Sequence, residues 1–171
     1  MTGGPGSGKS TLIDALGAHG IAVMPEAGRA IIQDQVAIGG AALPWGDRLA
    51  FSEQMLGWEL RSYREAQRQA GPVLFDRGIP DVAGYLTLSG LPVGAHVARA
   101  VADYRYRRDV FIAPPWPEIF MPDAERRQSL AEADATFHAL ADAYSQAGYG
   151  LVPLPRAPVA DRVQFVLSRI G

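Results

Sequence analysis

The sequence predicts a three-layer α/β fold in which helices cover a parallel sheet. Short apolar runs typical of buried strands alternate with longer segments of helical periodicity, an order that favours parallel strands joined by helices. A glycine-rich loop near the start runs directly into the first helical segment. With 171 residues, of which 48% are hydrophobic, the chain is long enough for one full core. We therefore expect a single domain over residues 1–171.

The individual elements follow from periodicity and from the residues that interrupt it. Gly20, the pair Gly39-Gly40 and Gly71-Pro72 end successive segments. Asp47 precedes a long helical pattern and is a candidate for its N-cap. Strands are predicted at 21–24, 73–76, 110–112 and 151–154. Helices are predicted at 9–18, 26–38, 47–70, 79–89, 93–107, 124–147 and 159–170.

The loop before the first helix matches the phosphate-binding pattern G-x-x-x-x-G-K-[ST]. Its residues are Gly3, Gly4, Pro5, Gly6, Ser7, Gly8, Lys9 and Ser10, followed by Thr11. In such loops the backbone N–H groups and the helix N-terminus favour a bound phosphate. We expect Lys9, the only lysine of the chain, to reach the β- and γ-phosphates of ATP and Ser10 to ligate Mg²⁺. The alternative is an ordinary glycine-rich turn, but every defining position of the pattern is present.

One expected element has no counterpart in the pattern. A phosphate-binding loop normally follows a buried strand, yet only Met1 and Thr2 precede Gly3. A sheet without its central strand would leave backbone groups unpaired. We therefore expect the first strand to be missing from the numbered chain, or to be supplied in another way.

Two charged residues end the strand predicted at 73–76. Asp76 fits the acidic residue that holds Mg²⁺ in phosphate-loop enzymes. Glutamate in the next position would favour a water-activating ATPase, but Arg77 stands there. An Asp-Arg pair at this position resembles nucleoside and nucleotide kinases, including thymidylate kinase. The resemblance implies that Arg77 contacts phosphates or the carboxylate partner of the acceptor. A strand-end salt bridge is the alternative.

Glu26, after the second predicted strand, has two interpretations of equal standing. The resemblance to deoxynucleoside kinases implies a general base for the acceptor hydroxyl. An acid at the start of a helix also interacts favourably with the helix dipole or caps the helix. Asp81 lies near the start of the helix predicted at 79–89 and either faces the acceptor or caps that helix. We favour the cap.

The segment 114–131 occupies the position of a lid in small-molecule kinases. Arg126 and Arg127 are candidates for neutralising charge on the transferring phosphate, although a solvated helix face is the alternative. We expect Trp116 and Phe120 to belong to the core rather than to wall the acceptor site. Arg156 follows the last strand, where kinases of this group hold the nucleotide base.

Composition and missing motifs exclude several classes. Without a second lysine the guanine-reading motif Asn-Lys-x-Asp cannot exist, so a classical GTPase is excluded. A net charge of −2 gives no electrostatic signature of nucleic-acid binding. The chain has no cysteine and no apolar run of membrane-spanning length, which is compatible with a cytoplasmic protein without a membrane partner. The oligomeric state is not predicted.

Four segments together resemble the NadR-like AAA-type ATPase family, which includes a nicotinamide riboside kinase domain. They are the phosphate loop through Thr11, Pro25–Arg29, Asp76–Asp81 and Gly148–Pro155. The resemblance implies a kinase-type phosphate-loop (P-loop) NTPase fold with strand order 2-3-1-4-5. It does not imply a particular acceptor.

The sequence therefore predicts ATP- and Mg²⁺-dependent phosphoryl transfer to a small-molecule acceptor, as in nucleoside or nucleotide kinases. The alternative is a nucleotide-binding ATPase or regulatory switch without such an acceptor.

Overall fold

The computed structural model describes residues 1–120 and 129–170. The strands are β1 (Thr2–Gly3), β2 (Ala22–Met24), β3 (Val73–Phe75), β4 (Asp109–Ala113) and β5 (Gly150–Pro153). The helices are α1 (Lys9–Ala18), α2 (Ala27–Ile38), α3 (Arg48–Ala66), α4 (Ile79–Leu88), α5 (Ala95–Asp103), α6 (Leu130–Gln146) and α7 (Val159–Ile170), with a short 3₁₀ helix at Pro117–Ile119. The predicted alternation of strands and helices is confirmed.

The element ends differ from the predictions by a few residues. Asp47 caps α3 as predicted, since its carboxylate accepts a hydrogen bond from the Ala50 N–H at 2.9 Å. The helix ends at Ala66 rather than at residue 70, and α5 is shorter than the predicted 93–107 at both ends. For the helix predicted at 124–147, the described part begins at Leu130, and residues 124–128 lie outside the described residues.

All strand pairs are parallel. β2 pairs with β3, and β4 pairs with both β1 and β5. Met1 joins the two groups: its N–H group donates to the Phe75 carbonyl at 2.9 Å, and its carbonyl accepts from the Arg77 N–H at 2.8 Å. Strand pairing therefore gives two groups, β1-β4-β5 and β2-β3, which Met1 links. The full order 2-3-1-4-5 that the family resemblance implies stays a prediction.

A short first strand is present, although the sequence pattern predicts that it is missing from the numbered chain or supplied in another way. Thr2 and Gly3 form this two-residue strand and pair with Ile112 and Ala113 of β4. Their position leads directly into the phosphate loop. A further segment upstream of this strand stays a prediction. A cavity of about 820 Å³ lies beside Met1 and is lined by residues of both β3 and β4.

The core has two main parts. One cluster of buried side chains joins α2, α3, α4 and α5, with Phe51, Ile79 and Leu86 among its members. The other joins α1 and α7 to the sheet through residues such as Leu12 and Val166. In the described part of the chain, no helix is both long and apolar enough to span a membrane.

One ionisable group is buried within the helical core. Glu59 of α3 is only 3% exposed. Burial, reinforced by the charge of Asp81, raises the pKa of the Glu59 carboxyl from 4.5 to about 8, against the opposing effect of Arg77. Between these two pH values, the Glu59 carboxyl is therefore protonated in the folded protein and ionised in the unfolded chain.

This difference predicts a loss of stability as pH rises from about 4.5 to about 8, with no further loss from this group above that range. Glu59→Gln removes the titration. Relative to wild type, its free energy of unfolding should increase between pH 5 and pH 8.5 by an amount of the order of a few kcal/mol.

Urea denaturation at several pH values measures this difference. Glu65→Gln is the matched control, a half-buried position on the same helix whose pair with Arg61 is partly solvated. It should change stability by less than about 0.5 kcal/mol at either pH. A Glu59→Gln difference that does not vary with pH would contradict the assignment.

Candidate active site

The phosphate loop is built from residues whose backbone conformation requires glycine. Gly6 and Gly8 have φ angles of 67° and 70°, in the left-handed region that other residues rarely adopt. These conformations turn the chain from β1 into α1, which begins at Lys9. The N-terminal end of α1 therefore lies at the loop, and a helix N-terminus in such a position favours a bound anion.

Lys9 connects the end of this loop to its beginning. Its ammonium group donates to the carbonyl oxygens of Gly3 at 2.9 Å and Gly4 at 2.7 Å, with the Ser7 hydroxyl at 3.4 Å. The side chain is buried, whereas Ser10 is exposed in the first turn of α1. The structure thus places a cation at the loop and a hydroxyl at the helix start, as the motif predicts.

Asp76 lies directly after β3, and its N–H group bonds the Met24 carbonyl at 2.9 Å. Burial raises the pKa of its carboxyl above the ordinary value, while the cations of Arg77 and Lys9 oppose that rise. Its Oδ1 atom is buried and has no hydrogen-bond partner among the described residues. A buried carboxylate oxygen without a partner is costly, and a bound cation would satisfy it.

The chemistry of the site fits Mg²⁺. The described residues contain no cluster of three or more histidine, cysteine or acidic side chains that could hold a metal by themselves. Mg²⁺ is usually bound by one or two protein oxygens together with substrate phosphates and water. Asp76 and Ser10 supply two such oxygens.

Arg77 has the only positive φ angle, 75°, of any described residue other than glycine. Its guanidinium donates to Glu26 Oε1 at 3.0 Å and to Asp81 Oδ1 at 3.3 Å. Burial disfavours the charged guanidinium, but these two carboxylates outweigh that effect and raise the pKa of Arg77. The strand-end salt bridge considered from the sequence is therefore present, and it joins α2 to α4.

The cap predicted for Asp81 is confirmed. Its Oδ2 atom accepts a hydrogen bond from the Gly78 N–H at 2.9 Å, at the start of α4. The same carboxylate accepts from the Thr2 hydroxyl at 2.6 Å and from the Tyr144 hydroxyl at 2.7 Å. Asp81 thus ties β1, α4 and α6 together and holds Arg77 in place.

Glu26 stands at the N-cap position of α2, but its side chain makes no capping hydrogen bond. Its Oε1 atom accepts from Arg77 instead. The side chain of Glu26 therefore does not make the capping contact that one of its two interpretations predicts. The role of general base stays a prediction.

A cavity of about 390 Å³ opens beside the Glu26–Arg77 pair. It extends from Pro5 of the phosphate loop to a wall of largely apolar and aromatic side chains. Trp45, Phe51, Met55, Tyr85 and Leu88 contribute to this wall. Cavities of this volume accommodate small ligands. We call it the acceptor cavity.

The segment before residue 121 covers the phosphate loop. A Cβ atom added to Gly6 would lie 2.4 Å from the Phe120 ring, so that ring packs closely on the loop. Trp116 lies near the guanidinium of Arg162. Both aromatic residues are half-buried, neither belongs to the core clusters of the described residues, and neither lines the acceptor cavity. Their assignment to the core is wrong.

The remaining predicted residues are less constrained by the structure. Arg126 and Arg127 lie outside the described residues, so their roles stay predictions. Arg156 is exposed after β5, and its contact with a nucleotide base stays a prediction.

Sequence reasoning missed Arg162 of α7. This arginine is 3% exposed and donates to the carbonyl oxygens of Gly8 at 3.0 Å and Ser7 at 3.3 Å. Its position in the sequence could have indicated its burial, because Arg162 lies four residues before the buried Val166, on the apolar face of α7.

Comparisons with known proteins agree with this geometry. A structure of deoxyadenosine kinase from M. mycoides with bound dATP is similar over 99% of this chain and 98% of that chain, with a TM-score of 0.60 and 13% identity. At this identity the similarity shows the fold, a P-loop kinase fold. No curated protein matches the sequence. The model of the AAA domain family matches residues 1–162, which include the phosphate loop, Asp76 and Arg77. The chain belongs to the AAA domain family of nucleotide-binding P-loop proteins.

Proposed function

We propose that this protein transfers the γ-phosphoryl group of ATP to a hydroxyl group of a small-molecule acceptor. The observation that carries the proposal is the position of Glu26 and Arg77. They lie where a cavity bounded by Pro5 of the phosphate loop meets an aromatic wall. A phosphoryl acceptor bound there has its hydroxyl beside a carboxylate and the donor's phosphates within the loop.

The nucleotide side of the site supports this assignment. The residues Gly3, Gly4, Pro5, Gly6, Ser7 and Gly8 surround the phosphates, and Lys9 exchanges some of its carbonyl contacts for the β- and γ-phosphate oxygens. Ser10 and Asp76 would hold Mg²⁺, which when bound would supply positive charge near the β- and γ-phosphate oxygens. Thr11 lies at the same helix start.

Glu26 serves as the base in this reaction. The acceptor oxygen forms a bond to the γ-phosphorus, the bond from that phosphorus to the β,γ-bridging oxygen breaks, and ADP leaves. The proton of the acceptor hydroxyl passes to the Glu26 carboxylate. Arg77 holds Glu26 Oε1 and thereby orients the carboxylate, and we assign the charge stabilisation of the transferring group to Arg77 with Arg126 or Arg127.

The charge of the acceptor cavity favours a nucleoside over a nucleotide as acceptor. Among the described residues, three carboxylates line it, those of Glu26, Asp81 and Glu132, against one lining arginine, Arg77. Arg77 is engaged by two of these carboxylates. A nucleoside monophosphate would bring about two further negative charges, whereas a neutral ring system can pack on Trp45 and Phe51. The similarity to the fold of a deoxyadenosine kinase supports the same class.

Glu26→Gln should lower the turnover number for acceptor phosphorylation by about 10²- to 10⁴-fold, because the amide cannot accept the proton. Its oxygen still accepts the Arg77 hydrogen bond, and the ion pair of Arg77 with Asp81 remains, so the fold should be retained. The assay measures ADP release with ATP and a panel of nucleosides, including deoxyadenosine and nicotinamide riboside.

Two variants serve as controls. Asp34→Asn changes an exposed acid on the same helix and should leave turnover unchanged, whereas Lys9→Ala gives the blank. If Glu26→Gln retains wild-type turnover with a responding nucleoside, Glu26 is not the base. If no acceptor raises ADP release, the alternative of an ATPase or switch is favoured.

Asp76→Asn should weaken the contribution of Mg²⁺ to nucleotide binding, because it removes the negative charge at the buried Oδ1 position. Calorimetric titration with ATP, with Mg²⁺ and with EDTA, measures this contribution. Wild type should bind Mg²⁺–ATP more tightly than free ATP. The variant should lose most of this difference in affinity, a loss of roughly tenfold. An unchanged difference would exclude Asp76 from the metal site.

A further inference from the structure

Arg162 is a buried cation outside the acceptor site. It projects from α7 to the outer side of the phosphate loop, where its two terminal nitrogens donate to the Gly8 and Ser7 carbonyls. Its guanidinium also lies 5.5 Å from the Trp116 ring. It therefore connects the C-terminal helix, the loop and the segment that covers the loop.

The contacts of Arg162 offset only part of the cost of burying its charge. No carboxylate forms an ion pair with it among the described residues, and its Nε atom is buried without a hydrogen-bond partner there. Burial accordingly lowers the pKa of the guanidinium. A buried charge is expensive unless it is paired. Bound phosphate in the neighbouring loop would supply the missing opposite charge.

The two carbonyl contacts also fix the direction of two amide groups. A peptide unit is planar and trans, so its N–H group points opposite to its C=O group. Holding the Ser7 carbonyl therefore sets the direction of the Gly8 N–H, and holding the Gly8 carbonyl sets that of the Lys9 N–H. Because Arg162 draws both carbonyls toward α7, both N–H groups are turned away from α7.

We propose that Arg162 is a positioning residue for nucleotide binding, which holds the Ser7 and Gly8 carbonyls so that the Gly8 and Lys9 amides face the bound phosphates. The proposal rests on the nucleotide-binding part of the proposed function and does not depend on the acceptor. Arg162 contributes through the loop and through its charge, without touching the reacting atoms.

The segment covering the loop takes part in the same arrangement. A Cβ atom added to Gly8 would lie 2.7 Å from an Arg162 terminal nitrogen and 3.0 Å from the Ile119 side chain. Gly8 is thus enclosed between α7 and the segment before residue 121. Together with the contact of Arg162 to Trp116, this packing restrains the loop from its outer side.

The test measures binding of ATP and inorganic pyrophosphate by calorimetry, without any acceptor. Arg162→Met keeps the apolar length of the side chain and removes the hydrogen bonds and the charge. We expect it to weaken the affinity for both ligands by roughly tenfold or more. Arg169→Met, at an exposed arginine of the same helix that bonds only its own helix, is the matched control and should bind both ligands as wild type does.

A second measurement separates positioning from a merely structural role. In ¹⁵N-labelled protein, Arg162→Met should shift the Gly8 and Lys9 amide resonances and speed their hydrogen exchange, with little change in the α1 and α7 interiors. If Arg162→Met does not fold, Arg162→Lys replaces it in both experiments. The lysine keeps the charge but lacks the planar fork, and we expect a smaller loss, about threefold, in the same direction.

Wild-type affinity for ATP and pyrophosphate in the folded variant would overturn the proposal. So would unchanged Gly8 and Lys9 resonances together with shifts spread over α7. Because no turnover is measured, failure of the phosphoryl-transfer proposal would leave this result interpretable. An affinity loss confined to Arg162 variants would support the assignment even if the protein proved to be a switch.

Discussion

The site depends on one buried arginine held between two carboxylates. Arg77 adopts a left-handed backbone conformation that costs of the order of 1–3 kcal/mol for a residue with a side chain. Its ion pairs with Glu26 and Asp81 hold it there. Removing one member of such a set leaves an uncompensated buried charge, which typically costs about 3–5 kcal/mol. The arrangement therefore fixes the ends of β3, α2 and α4 relative to one another.

The phosphate loop is fixed by a second set of polar contacts. Lys9 ties the loop to its own beginning through the Gly3 and Gly4 carbonyls, and Arg162 holds it from the outer side. Asp81 links the two sets, since it accepts hydrogen bonds from Thr2 of β1 as well as from Arg77. The phosphate loop and the Glu26–Arg77 pair are thus connected through a few buried side chains. This connection supports the proposed phosphoryl transfer between them.

The sequence predicted the features that depend on local pattern. The alternation of elements, the phosphate loop with Lys9, and the caps by Asp47 and Asp81 follow from periodicity and from turn chemistry. Two failures have a common physical cause: they depend on contacts between distant segments. Met1 joins β3 through two hydrogen bonds that no local pattern indicates. The sequence predicts Trp116 and Phe120 in the core, whereas Phe120 packs over the glycine loop and Trp116 lies beside Arg162. The pairing of Glu26 with Arg77, 51 residues apart, likewise needed the fold.

The central claim is that the γ-phosphoryl group goes to an acceptor in the cavity beside Glu26 rather than to water. The most direct measurement follows ATP labelled at the γ-phosphate and determines the fate of the label with and without a nucleoside. Our account predicts label in the phosphorylated nucleoside and little release of inorganic phosphate. Release of the label as inorganic phosphate at the same rate with every nucleoside and with none would contradict it.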